Sequence, residues 1–195
     1  MTDLPLSTLA AVTVRDPDAA ARDILARQWT QDVQWSALIA VACISAVLSH
    51  LAFRAQGVPP EAIMPALRWP FVTAGIEIAI LWFTAFSLWR VGRTFGGAGD
   101  ARGALSLVVW LQGMLIGVQV LQFALLGAPA LSSLVWLVGV GLALWWFTRF
   151  AMVLHGFSSP VRVMGVTLLV AISLFSAFSL VLAFLGLGPS TEPVN

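Results

Sequence analysis

Five long stretches of this chain are apolar and carry at most one charged residue each. A helix needs about 20 consecutive apolar residues to cross the hydrocarbon core of a bilayer, and each stretch is close to that length or a little longer. The uncharged run from Gly103 to Thr148 is too long for one crossing, and Gly127-Ala128-Pro129 supplies a turn that divides it into two. The pattern predicts an all-α integral membrane protein, with a transmembrane domain of five helices over residues 32–187. The predicted spans cover residues 33–53, 69–89, 104–126, 131–148 and 161–187.

The arginines predict how these spans are oriented. The chain has ten basic residues, all of them arginine, and threading five spans places eight on one side of the membrane. Those eight are Arg15, Arg22, Arg27, Arg90, Arg93, Arg102, Arg149 and Arg162, against Arg54 and Arg68 on the other side. Because positively charged loops stay in the cytoplasm, the N-terminus is predicted to be cytoplasmic and the C-terminus to lie outside.

The segments that flank the spans are short. Residues 1–15 show no clear periodicity and are predicted to form a disordered cytoplasmic arm. In Asp16-Pro17-Asp18 the first aspartate can cap a helix that begins with proline, so residues 16–31 are predicted to form an amphipathic helix in the headgroup region. The alternative for this segment is a plain solvated lead-in. Residues 188–195 are predicted to be a short tail outside the membrane.

Composition argues against several classes of function. A net charge of +1 and the absence of lysine do not give the basic field that nucleic-acid binding needs. The single cysteine, Cys43, cannot form an internal disulfide, and His50 and His155 are predicted on opposite sides of the membrane. No spacing indicates a metal site, a cofactor site or a hydrolytic dyad, so a non-enzymatic protein without a cofactor is expected.

Glu77 is the only carboxylate inside a predicted span. A charged group at that depth costs roughly 2.5 to 3.5 kcal/mol, so the side chain should face other helices and find a partner there. Thr73 shares its face, while Gln112, Gln119 and Gln122 lie along one stripe of the third span. This polar cluster could be a structural hydrogen bond that fixes helix register or a relay for protons or solutes.

Two glycine patterns stand out. Arg90, Arg93 and Arg102 bracket the loop of residues 95–100, which is predicted to be a flexible turn whose arginines contact lipid or a partner. Gly113 and Gly117 form a GxxxG pair in an apolar span, and this spacing lets helices pack closely. The packing is expected within one chain, with a homo-oligomer as the alternative.

The order of these parts resembles the Yip family of Ypt/Rab-interacting membrane proteins, over about residues 16–187. The resemblance is carried by Phe95-Gly96-Gly97-Ala98-Gly99-Asp100, followed by an apolar helix beginning near Ala104, which is similar to the family's Gly-Gly-x-Gly entry to its third helix. This chain has no tyrosine and only a short arm, so the GTPase binding of eukaryotic members does not carry over. The bacterial branch is the better match, which implies a multi-pass protein of the bacterial inner membrane with a periplasmic C-terminus.

The resemblance implies a membrane-organising or partner-binding factor whose partners are the lipid bilayer and other membrane proteins. Two alternatives stay open: a small proton- or solute-coupled transporter or channel built around Glu77, and an accessory subunit of a larger membrane complex.

Overall fold

The computed structural model describes residues 5–59, 63 and 65–184, and within these residues the chain is helical and contains no strand. Two short helices, α1 (Leu6–Arg15) and α2 (Pro17–Ala26), precede the long ones. The long helices are α3 (Gln31–Ala55), α4 (Pro70–Thr94), α5 (Ala101–Ala124), α6 (Pro129–His155) and α7 (Pro160–Phe184). A short 3-10 helix, Pro65–Arg68, precedes α4.

Among the described residues, four helices, α3 to α6, are long and apolar enough to cross a membrane. The prediction of an all-helical chain with several apolar helices of membrane length is therefore confirmed. Helix α7 occupies the position of the fifth predicted span, and its role as a span stays a prediction. Residues 185–187 of that span and the tail of residues 188–195 lie outside the described residues, as do residues 1–4 of the predicted arm.

Side-chain caps set several helix boundaries. Asp16 Oδ1 accepts a hydrogen bond from Ala19 N at 2.9 Å at the start of α2, and Asp100 Oδ1 accepts one from Gly103 N at 3.0 Å at the start of α5. Helices α4, α6 and α7 begin at prolines, which need no hydrogen-bond partner in the first turn. Helix α6 ends where Gly156 takes a left-handed conformation with φ of 72°.

Helix α5 lies at the centre of the bundle, where it contacts α3, α4 and α6. The fully buried large side chains are concentrated near one end of the bundle, where α1 and α2 pack. They include Leu9, Ile24, Leu38, Leu107 and Phe150. Towards the other end, large apolar side chains point outward on α3, α4 and α6, as expected for helices that face lipid.

The prediction of a disordered arm is wrong for residues 6–15. They form α1, whose Leu9 and Thr13 are completely buried. The Thr13 hydroxyl donates to Leu9 O at 2.8 Å and accepts from Trp110 Nε1 on α5 at 3.0 Å. The helix is thus ordered by contacts with a distant part of the chain, which local periodicity does not reveal.

Helix α2 is amphipathic as predicted, but protein covers its apolar face. Ala20, Ala21 and Ile24 are at most 1% exposed, and the helix packs on α6 and α5. The small alanine side chains allow the helices to approach closely, so this face is buried without a lipid surface.

Candidate functional site

A buried polar cluster links three of the membrane-length helices. Gln112 Nε2 on α5 donates to Glu77 Oε1 on α4 at 2.7 Å and lies 3.3 Å from Ser45 Oγ on α3. Gln119, two turns further along α5, donates through Nε2 to the same Ser45 hydroxyl at 2.9 Å. The structure therefore brings Glu77, Gln112 and Gln119 together, as the sequence predicted, and adds Ser45.

The other two predicted members lie apart from this cluster. Thr73 is one turn away on α4, where its hydroxyl hydrogen-bonds to His50 Nε2 at 3.0 Å and donates to Trp69 O at 3.2 Å. Gln122 is half-exposed further along α5 and does not join the cluster. Seven residues bring two side chains back to the same face of a helix, whereas ten residues rotate Gln122 away from Gln112.

Sequence reasoning missed Ser45, although a signal was present. Ser45 is one of two polar residues on a buried face of α3, the other being Gln34, and the rest of this face is apolar. Ser45 is buried, and its hydroxyl oxygen accepts hydrogen bonds from the side-chain amides of both Gln112 and Gln119. Hydrogen bonds of this kind hold helix register at a typical gain of about 0.6 kcal/mol, with a maximum near 1.7. One acceptor, Gln119 Oε1, is buried without a partner among the described residues.

A second polar network holds together the end of the bundle where α1 and α2 pack. We call this region the headpiece: α1, α2, the loop of residues 95–100 and the adjoining ends of α3, α4, α5 and α6. Gln34 Nε2 donates to Arg102 O at 3.0 Å and to Ser106 Oγ at 2.7 Å. Asp18 on α2 forms an ion pair with Arg149 on α6, with Arg149 Nε 2.7 Å from Asp18 Oδ1. These bonds join α3 to α5 and α2 to α6, and the bond between Thr13 and Trp110 joins α1 to α5.

His155, at the end of α6, organises the glycine-rich loop. Gly99 N donates to its Nδ1 at 3.2 Å, so Nδ1 carries no proton, and Nε2 therefore donates to Leu88 O at 3.0 Å. A Cβ added at Gly92 or Gly97 would lie 2.1 or 2.3 Å from a ring nitrogen. The glycines are thus required because the loop and α4 pack directly on a buried imidazole.

The three loop arginines point away from the protein. Arg90, Arg93 and Arg102 are all exposed, and none of them forms an ion pair with a carboxylate among the described residues. The guanidinium of Arg90 lies over the Trp89 ring, 5.4 Å from its centroid. The predicted basic loop is therefore an accessible surface, and the lipid or partner that it contacts stays a prediction.

Among the described residues, the GxxxG pair does not pack helices together. Gly113 and Gly117 are exposed, and a Cβ added at either would meet nothing within 4 Å. Close packing of α5 on α6 occurs instead at Gly139, where an added Cβ would lie 2.7 Å from Val118 Cγ1. The prediction of intrachain packing is wrong because the pair faces outward, and a homo-oligomer stays a prediction.

Within the part of the chain that the structure describes, no three His, Cys, Asp or Glu side chains are grouped so that they could hold a metal ion. No protein-family model, curated protein or solved structure matches this chain.

Proposed function

We propose that the chain is a non-enzymatic, membrane-organising or partner-binding protein of the bacterial inner membrane, similar to the bacterial branch of the Yip family. In this proposal α3 to α7 form five spans, the N-terminus and headpiece are cytoplasmic, and the C-terminus is periplasmic. The arginine distribution supports this orientation. The 25-residue apolar helix α7 supports the fifth span.

The use of charge in the headpiece supports the proposed role. Four of its carboxylates bond to the protein itself: Asp16 and Asp100 cap helices at the surface, and Asp18 and Asp23 pair with arginines, whereas Asp32 in the first turn of α3 is exposed. Exposed arginines remain on its outer surface, namely Arg15, Arg22, Arg90, Arg93 and Arg102. A surface of this sign suits an acidic protein partner or anionic headgroups, at about 1 kcal/mol per arginine near a membrane.

Co-purification tests this role. The protein is extracted from native membranes in mild detergent, and the proteins retained with it are identified and quantified by mass spectrometry. We expect a specific membrane protein to be retained by the wild type and lost when Arg90, Arg93 and Arg102 are replaced together by glutamine. A matched variant with Arg54 and Arg68 replaced by glutamine, at the opposite end of the bundle, should retain it.

The outcomes separate the alternatives once orientation has been verified for each variant. Retention of the same partner by the three-arginine variant would contradict a role for this surface. A fixed stoichiometry with several other subunits would favour an accessory subunit over an organising factor.

The polar cluster favours a second candidate, a small proton- or solute-coupled transporter. Glu77 is a carboxylate linked to two other helices at membrane depth, and such groups often mark proton or ion paths. Liposomes that contain only this protein should then show a flux that is abolished in Glu77→Gln. A flux that persists in this variant, or no flux from wild-type liposomes, would remove the candidate.

A further inference from the structure

A cavity of about 390 Å³ lies between α4, α6 and α7, beside the headpiece. It forms where α7 packs mainly on α6 and leaves space towards α4. Its walls are mostly apolar, with Leu88 and Val91 on α4, Phe147 on α6, and Val166 and Val170 on α7. Its volume falls within the range of about 300 to 1,000 Å³ that is typical of small-molecule sites.

The depth of the cavity matches one leaflet of a bilayer. Its lining extends from Phe95, the residue after α4, back to Thr84 within the helix, which is about 16 Å at a helical rise of 1.5 Å per residue. A hydrocarbon core is about 30 Å thick, so one leaflet is about 15 Å. The cavity begins at the end of α4 and stops near the middle of the membrane, as a slot for a single acyl chain would.

Among the described residues that line this slot, the charged side chain lies at the headpiece end. Arg162, in the first turn of α7, is exposed and forms no ion pair with any described carboxylate. Ser158 and Ser159 lie beside it, and the Ser159 hydroxyl is 3.4 Å from Arg162 N. His155 also lines the cavity, but both of its ring nitrogens are bonded to the protein. Among the described residues that line the cavity, Arg162 is therefore the cation at its mouth.

We propose that this cavity binds an anionic phospholipid, with the phosphate at Arg162 and one acyl chain between α4, α6 and α7. The cation selects a negative headgroup, and the apolar slot selects a chain over a free anion. A peptide would bring backbone polar groups that the apolar walls cannot satisfy. The proposal depends on Arg162 rather than on Arg90, Arg93 and Arg102 of the proposed function, so either can fail without the other.

Delipidated protein in detergent tests the proposal by native mass spectrometry. The probes are phosphatidylglycerol and phosphatidylcholine with identical acyl chains, and inorganic phosphate. We expect the wild type to retain phosphatidylglycerol about fivefold more than phosphatidylcholine, since one arginine near a headgroup contributes about 1 kcal/mol. Millimolar phosphate should not displace the lipid.

Two variants and one control locate the lipid. Arg162→Gln should bring the ratio of the two lipids close to one. Val170→Phe should reduce retention of both, because the ring fills the slot. Leu169→Phe, at the neighbouring residue whose side chain is 67% exposed outside the cavity, should behave as the wild type.

Equal retention of the two lipids by the wild type would overturn the proposal, as would an unchanged ratio in Arg162→Gln. Displacement by phosphate would overturn the role of the acyl chain. If Val170→Phe does not fold, Arg162→Gln still decides, because it changes an exposed side chain and leaves the slot intact.

Discussion

Replacing Gly92 by alanine should destabilise the protein strongly, although alanine is the better helix former. Gly92 lies in α4 against the imidazole of His155, and an added Cβ would be 2.1 Å from Nε2, 2.3 Å from Cε1 and 2.5 Å from Cδ2. Carbon atoms in contact are about 3.5 to 4.0 Å apart, so the ring must move by more than 1 Å. It cannot do so and keep its bonds to Leu88 O and Gly99 N, at 3.0 and 3.2 Å.

The size of the effect follows from these contacts. Overpacking costs about 1 to 3 kcal/mol, and each lost hydrogen bond costs about 1. The higher helix propensity of alanine offsets about 1 kcal/mol of this cost. The net loss is about 2 to 4 kcal/mol, which lowers Tm by about 10 °C in a chain of this size.

Thermal unfolding in detergent, followed by size-exclusion chromatography of the heated samples, measures this difference. Gly113→Ala is the matched control, because it makes the same change inside a helix with nothing within 4 Å of the new Cβ. Its Tm should be unchanged or slightly higher. Equal Tm values for Gly92→Ala and Gly113→Ala would refute the reasoning.

A double variant isolates the cause. His155→Ala removes the ring and its bonds, so it should lower Tm alone. Adding Gly92→Ala to it should then cost little, because the space beside the glycine is empty. Additive losses in the double variant would show that His155 is not what the new Cβ meets.

Three further predictions concern the polar contacts and α1. Glu77→Gln keeps an oxygen acceptor for Gln112 on α5, so its Tm should be close to that of the wild type. Glu77→Leu removes the acceptor and should lower the free energy of unfolding by about 0.6 to 1.7 kcal/mol. Equal Tm values for the two variants would contradict the bond. Asp18→Asn weakens the ion pair with Arg149. Because both side chains are about a quarter exposed, the free energy of unfolding should fall by at most about 1 kcal/mol, and Tm should depend less on salt. Leu9→Asp places a charge at a buried position and should detach α1 from the bundle, which limited proteolysis would detect as faster cleavage. Leu6→Asp is the control, because that side chain is 59% exposed, and it should leave cleavage unchanged.

The membrane-length helices could be predicted from the sequence because their signal is local. An uncharged apolar stretch can satisfy its backbone in lipid only as a helix, so length and charge are enough to find α3 to α6. The bond between Glu77 and Gln112 was also predictable, since a carboxylate at membrane depth needs a partner and amides on a neighbouring helix can supply one.

The headpiece could not be predicted in the same way, because its order comes from contacts between distant segments. Thr13 meets Trp110 and Asp18 meets Arg149, so neither short helix reveals its partner in its own periodicity. Gly113 and Gly117 show a second limit of local sequence patterns. The motif permits close packing, but it does not indicate on which side of the helix the neighbouring helices lie.

The glycine-rich loop shows how one long-range contact changes an interpretation. Read locally, the glycines of residues 96–99 indicate a flexible turn between two spans. In the folded chain, Gly97 and Gly99 pack against His155, and Gly99 N bonds to its ring. A glycine can provide either close packing or conformational freedom, and the residues that surround it determine which of the two applies. Since the ring also contacts Gly92 on α4, the imidazole joins the ends of α4 and α6 to the loop, and this rigid junction sets the position of the exposed arginines beside it.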